Sequence, residues 1–326
     1  MKEPEPSVWI GLDVGGTKVE ALVVDHTLAV RGRVVVPTDT STQERAVDSI
    51  IESVQQVMAQ AQVSPEQVYA AGLGIPGQVE GGMVNMAVNL NLTACPLGDI
   101  LLEKTGVPFV LENDMRAATV GAYRYFSRRE TVRSVTYMGI GTGVAAGIIL
   151  NGELYRGMHG LAGEIGHLIM EPGGPRCNCG GQGCLETLAS GTALGRLARE
   201  AVASGKNTLL KDFEPLTGES VFAAAGLGDP VAASILRYSC SYLARAIQVM
   251  LMMCDVDIVI LGGGVAKQGE AFLQPLLVEL AALRRGSPFL ESMLADNKIR
   301  LSPADYNAGA WGAIYLASQQ VEKYEK

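Results

Sequence analysis

Positive charge is in short supply in this chain. Lysine and arginine total 26 against 34 aspartates and glutamates, leaving a net charge of −8. Phosphate backbones are held by basic faces, so nucleic acid is not expected as the main partner, although a small local site for a nucleotide is not excluded. Long apolar runs are missing too. Ser134–Gly152 is uncharged but holds five glycines, two threonines and an asparagine, and so reads as strand, turn, strand. Ala246–Cys254 is too short to span a bilayer and is bracketed by Arg245, Asp255 and Asp257. The opening MKEPEPSVWIGLDVGG lacks the basic start, apolar stretch and cleavage site of an export signal. The expectation is a cytoplasmic protein with no membrane partner, its thiols reduced. Histidine and cysteine are scarce as well, at 3 and 6.

What is present describes a folded α/β protein. Hydrophobic residues make up 48 % and charged ones 18 % of 326 residues, enough for two domains. "VWIGLDVGGTKVEALVVD" (Val8–Asp25) is two apolar runs around a glycine-rich turn and reads as a β-hairpin, with "GRVVVP" as a third strand. Glu44–Gln60 has helical apolar spacing, and "YAAGLGIPG" reads as a buried strand ending in a turn. Gly139–Leu150, GIGTGVAAGIIL, repeats the character of Asp13–Val24, DVGGTKVEALVV, and two such hairpins point to internal duplication. Asp229–Cys254 reads as a long helix whose Met250–Met253 run is assigned to the core; "VDIVILGGGVA" is a strand running into glycines and a helix. The pattern predicts two lobes with strands meeting a central cleft, passing from one to the other near Ala118–Arg128.

Four of the scarce ligand-type side chains fall within eighteen residues: His167, Cys177, Cys179 and Cys184. Glycines and prolines separate them, so the segment is a loop that something must hold. Cys177 and Cys179 are too close to pair easily as a disulfide. Four N/S ligands suit tetrahedral Zn²⁺ in a closed, structural site. With every position filled by protein, no place remains for an activated water.

Three glycine turns follow apolar strands. In DVGGTK, Gly15 and Gly16 let backbone N–H groups approach an anion, Thr17 and Lys18 add donors, and Asp13 is placed to hold Mg²⁺ through water. Gly141, Thr142 and Gly143 form a second turn, and Gly263 and Gly264 a third at a strand-to-helix junction, where a helix N-terminus favours anions. Glycine turns are often only turns, but three together favour a nucleotide site. "ENDMRAA" (Glu112–Ala118) ends a strand; Asn113 or Asp114 suits a helix N-cap, and an aspartate there also suits accepting a hydroxyl proton. A metal joining His167 to Cys184 would bring Glu164 and Glu186 close, and such groups suit the hydroxyls of a sugar.

The chain resembles the ROK family (repressor, open reading frame, kinase) of the actin/hexokinase superfamily. The resemblance is carried by DVGGTK (Asp13–Lys18), GIPG (Gly74–Gly77), END (Glu112–Asp114), GTG (Gly141–Gly143), GEIGH (Gly163–His167), CNCGGQGCLE (Cys177–Glu186) and LGGGV (Leu261–Val265). It implies two actin-like, ribonuclease H-like α/β lobes around a cleft. The first lobe would be residues 1–120, the second 121–308 with the zinc loop at 163–186, and a C-terminal helix, 309–326, would pack back on the first. It implies ATP-dependent phosphoryl transfer to a sugar 6-hydroxyl, with Asp114 as base. Gly77, Asn89, Asn113, Glu164, His167 and Glu186 would line the sugar pocket, His167 using one ring nitrogen for zinc and the other for sugar. Thr17, Lys18, Thr142 and Gly263 would touch ATP. Homodimers or homotetramers are expected.

Within the family the zinc spacing and the DVGGTK start are most similar to bacterial glucokinases, which implies D-glucose. "VNLNLTACPL" (Val88–Leu97) and the region of Asn307 are similar to allose kinases, and Met115 and Arg116 depart from the usual small or polar residues after END. D-allose, fructose and N-acylhexosamines such as N-acetylglucosamine or N-acetylmannosamine therefore stay open. A sugar-responsive repressor of the family would need a DNA-binding module ahead of Val8, where about seven residues stand.

Overall fold

The computed structural model describes residues 6–324, with side chains through Val321. They form two compact units. One takes the chain up to Thr131 together with the segment from Asp305 onward; the other is Val132–Ala304.

In the first unit β1 (Val8–Val14), β2 (Lys18–Asp25) and β3 (Val30–Pro37) form an antiparallel meander. Helix α1 (Gln43–Ala61) begins at Thr42, whose side chain accepts from the Arg45 N–H, and buries Ala46, Ile50, Val54 and Val57 along one face. β4 (Val68–Ile75) then pairs parallel to β1. A small antiparallel sheet follows, made of β5 (Gln78–Glu80), β6 (Met83–Ala87) and β7 (Leu92–Cys95). After α2 (Leu97–Thr105), β8 (Phe109–Asn113) pairs parallel to β4 and runs directly into α3 (Asp114–Ser127). The main sheet has the order β3-β2-β1-β4-β8.

The second unit opens with β9 (Val135–Ile140), β10 (Val144–Leu150) and β11 (Glu153–Tyr155), again antiparallel. An irregular loop leads to α4 (Leu185–Ala189), α5 (Gly191–Ala203), α6 (Gly218–Gly226) and α7 (Pro230–Cys254). β12 (Ile258–Gly262), buried at every position, pairs parallel to β9. After α8 (Gly263–Ala266), α9 (Glu270–Arg284) and α10 (Pro288–Met293), β13 (Ile299–Leu301) pairs parallel to β12. The order is β11-β10-β9-β12-β13. Both sheets therefore place their strands third, second, first, fourth, fifth, with the same directions. The two similar hairpins of the sequence are the equivalent β1–β2 and β9–β10 of this duplication.

The last helix, α11 (Ala308–Tyr324), belongs to the first unit. Its backbone lies directly on β4 and α3: a Cβ added at Gly72 would sit 1.9 Å from the Ala313 carbonyl, and one at Gly121 2.0 Å from that of Ala308. Helix α3 is packed on α11 and stays whole in this unit; the chain crosses to the second after Thr131. The Met250–Met253 run does not act as one patch. Met250 and Leu251 are buried, whereas Met252 and Met253 are exposed, because consecutive helical residues point about 100° apart. Among the described residues no helix is long and apolar enough to cross a membrane.

Candidate active site

In parallel strands, ligand-binding loops gather at the carboxyl ends. In the first unit Asp13 pairs with Gly74, and Ile75 with Asn113, so the DVGGTK turn, Gly77 and the END segment leave the same edge of the sheet. The turn is held by its own bond, Gly15 N–H to the Lys18 carbonyl at 2.9 Å. Thr38 adds two more: its hydroxyl donates to the Gly15 carbonyl at 2.8 Å and its N–H to the Thr17 carbonyl at 3.1 Å. Gly16 and Thr17 are exposed. The Lys18 ammonium leans 3.7 Å from Glu20. The Asp13 carboxylate lies against the start of α11, where a Cβ at Gly309 would meet it at 2.7 Å.

The β5–β7 insertion brings two further expected residues to this edge. Gly77 has φ +100, and a Cβ there would meet the Met86 carbonyl at 2.1 Å, so only glycine fits. Its carbonyl accepts from Asn113 Nδ2 at 3.2 Å. Asn89 is exposed, with its carbonyl 3.1 Å from where a Cβ of Gly16 would be. Asn113 is the N-cap of α3, its Oδ1 accepting from the N–H groups of Met115 at 3.0 Å and Arg116 at 3.2 Å. Asp114 is the first residue of that helix, half-buried, with Oδ1 2.8 Å from the Met115 N–H, where the helix dipole suits negative charge. Below it Glu112 and Arg116 form a buried ion pair at 2.6 Å, and Glu112 also accepts from the Asn113 N–H.

In the second unit Gly139 pairs with Gly262, so the Gly141-Thr142-Gly143 turn and the Gly263-Gly264 turn again leave one edge. Gly141 accepts from the Gly191 N–H at 2.7 Å, which ties the turn to the start of α5. Thr142 and Gly264 are exposed. The helix after Gly262 is only a single turn, α8; the longer α9 starts at Glu270, so the third turn offers backbone N–H groups more than a helix dipole. The GEIGH segment lies on β10: Cβ atoms at Gly163 and Gly166 would meet the Ala146 and Val144 carbonyls at 1.9 and 1.8 Å. This close seating leaves Glu164 and His167 exposed.

His167, Cys177, Cys179 and Cys184 converge, with one ligand atom from each within 4.8 Å of all the others. Cys177 Sγ is 3.6 Å from His167 Nδ1, and the sulfurs of Cys179 and Cys184 are 3.7 Å apart. A tetrahedron with Zn–S about 2.3 Å and Zn–N about 2.0 Å has edges of about 3.8 Å between sulfurs and about 3.5 Å between sulfur and nitrogen. The donor set and its spacing fit such an ion, and all six cysteines are free thiols. Burial raises the thiols of Cys177 and Cys184, whereas the Gly181 N–H lowers that of Cys179. A divalent ion would displace the remaining protons. Nδ1 faces the thiols, leaving Nε2 for other work. Glu186 adjoins the cluster, its Oε1 3.1 Å from Cys177 Sγ.

Sequence reasoning missed the supports. Nothing in END pairs Glu112 with Arg116, and Thr38 and Gly191 carry no motif of their own. Neither does Tyr238, whose hydroxyl donates to Glu171 in the metal loop at 2.7 Å. Their only signal is spatial.

The profile of the ROK family matches residues 9–320, and the chain belongs to that family. It is 31 % identical to a glucokinase of Halalkalibacterium halodurans over 327 residues, covering 98 % of this chain and 97 % of that one. It is 32 % identical to an N-acetylmannosamine kinase of Citrobacter koseri, covering 94 % and 98 %. Its fold matches the crystal structure of a ROK family glucokinase from Streptomyces griseus in complex with glucose and AMPPNP, with TM-score 0.81, 32 % identity, and coverage of 96 % and 99 %.

Proposed function

We propose that the protein is an ATP-dependent hexose kinase that moves the γ-phosphate of MgATP to the 6-hydroxyl of D-glucose. The observation that carries this reading is the division of roles at the head of α3. Asn113 does the capping and also donates to Gly77, so Asp114 is not required as the cap. A carboxylate at that strand mouth can take the proton of an attacking hydroxyl, which is otherwise a weak nucleophile. Asn113, Gly77 and Asn89 are the candidate sugar contacts of the first unit; Glu164, Glu186 and the Nε2 of His167 are those of the second. The turns at Gly15–Lys18, Gly141–Gly143 and Gly263–Gly264 would hold the phosphates. Asp13 is the candidate holder of Mg²⁺, which would accompany the nucleotide and supply charge neutralisation for the transferring group. A Zn²⁺ on His167, Cys177, Cys179 and Cys184 is structural in this reading. Assembly as a homodimer or homotetramer in the cytoplasm belongs to the same reading.

The ligands of the Streptomyces griseus structure support glucose and ATP. The Citrobacter koseri relative keeps N-acetylmannosamine as the specific second reading. ADP release measured across glucose, allose, fructose, N-acetylglucosamine and N-acetylmannosamine tests both. Glucose is expected to give the highest kcat/KM. A higher value for another sugar would replace glucose and leave the kinase, and no turnover with any would remove the kinase.

A further inference from the structure

The two outer glycines of the Gly141-Thr142-Gly143 turn face different surroundings. A Cβ added at Gly141 would meet no atom within 4 Å. One added at Gly143 would meet a single residue, the carboxylate of Glu186, with Oε2 at 2.7 Å. Gly143 has no positive φ, so the backbone does not require glycine there. The missing side chain is space that Glu186 occupies.

The carboxylate is backed on its other side. Its Oε1 lies 3.1 Å from Cys177 Sγ and 3.9 Å from His167 Nδ1. The residue stands on α4, whose Leu185 and Leu188 are fully buried and whose Leu188 carbonyl accepts from the buried Ser239 hydroxyl at 2.9 Å. The α4 backbone is therefore fixed, and the carboxylate is wedged between the thiol cluster and the turn. From this we propose that Gly143 is a positioning residue for the hexose: it makes the room that sets the Glu186 carboxylate against the sugar. This rests on the hexose-kinase reading and adds to it a direct link between the phosphate turn and the sugar-binding carboxylate. An alanine at 143 would not have to move any backbone, only the far end of one side chain. It would therefore act on sugar affinity through the Glu186 carboxylate, an effect that vanishes where that carboxylate is absent.

Calorimetric titration with glucose would compare wild type, Gly143→Ala, Glu186→Ala and the double variant. Gly143→Ala is expected to raise the glucose Kd about tenfold, the scale of one disturbed polar contact. On the Glu186→Ala background the same substitution has no carboxylate to displace, so glucose affinity should fall no further. Additive glucose losses in the double variant, or a glucose Kd for Gly143→Ala within about threefold of wild type, would overturn the proposal. So would a Gly143→Ala chain that does not fold, since the substitution asks nothing of the backbone. Wild-type protein that binds no hexose overturns the hexose reading and this proposal together, and that result is distinct from the others because it appears before any variant is made.

Discussion

Asn113 accepts from two backbone N–H groups at the head of α3 and so fills the capping role there. Two consequences follow for Asp114→Asn. The substitution keeps an oxygen for the Met115 N–H and the shape of the site, so the helix and sugar affinity should change little. It removes the proton acceptor, and a general base contributes about 10²–10⁴-fold. We expect kcat to fall by at least about 100-fold with the hexose Kd, measured by titration in the same variant, nearly unchanged. Turnover within about threefold of wild type would remove Asp114 from the mechanism. At this scale much was legible in advance: a carboxylate after Asn at a strand end, and four sulfur and imidazole ligands in a scarce background. The partner of Gly143 was not, because it lies on α4, far along the chain, and nothing in GTG names Glu186. Thr38 was hidden for the same reason: its two bonds to the DVGGTK turn arise from the pairing of β2 with β3.

The metal loop is an element without regular structure, and its shape comes from its anchors. Tyr238 holds Glu171 at one side, and the neighbouring Ser239 of α7 holds Leu188 of α4 at the other. Between them the thiol and imidazole ligands close the loop around one point. Cys179 is the exposed thiol of the three, so Cys179→Ser removes a ligand with little cost to the core. We expect that variant to lose its bound metal by elemental analysis and to lose hexose affinity with it, because His167 and Glu186 are then less firmly placed. Full metal content, or metal loss with normal hexose affinity, would break the link between ion and site. The elements themselves were readable where periodicity is strong: α1, α7 and the two hairpins follow from the spacing of apolar residues and the glycine turns. The β5–β7 sheet was not, since strands of three to five residues leave too short a pattern. The Met250–Met253 run misled for the opposite reason, composition alone giving no phase on the helix.

The two units share one sheet topology but differ in how the chain builds them. Val132–Ala304 is continuous, whereas the first unit is closed by α11, whose backbone touches Gly72 of β4 and Gly121 of α3 closely enough to leave no room for a methyl group. Leu22, Val24, Ala310 and Ile314 share an apolar cluster, so β2 also relies on that helix. On the ribosome this imposes an order. The strands of the first unit emerge early, yet the helix that completes them emerges only after residues 132–304. The expected outcome is a reversal of the usual tendency for the N-terminal part to fold first. Nascent chains arrested after Ala304 should show a protease-resistant segment within residues 132–304 while residues 8–131 are still cleaved, and extending the arrest point past the last helix should protect both. Early protection of residues 8–131 would show that α11 is dispensable for closing their core. Until α11 leaves the ribosome, the Asp114 edge of the first unit lacks the helix against which β4 and α3 pack.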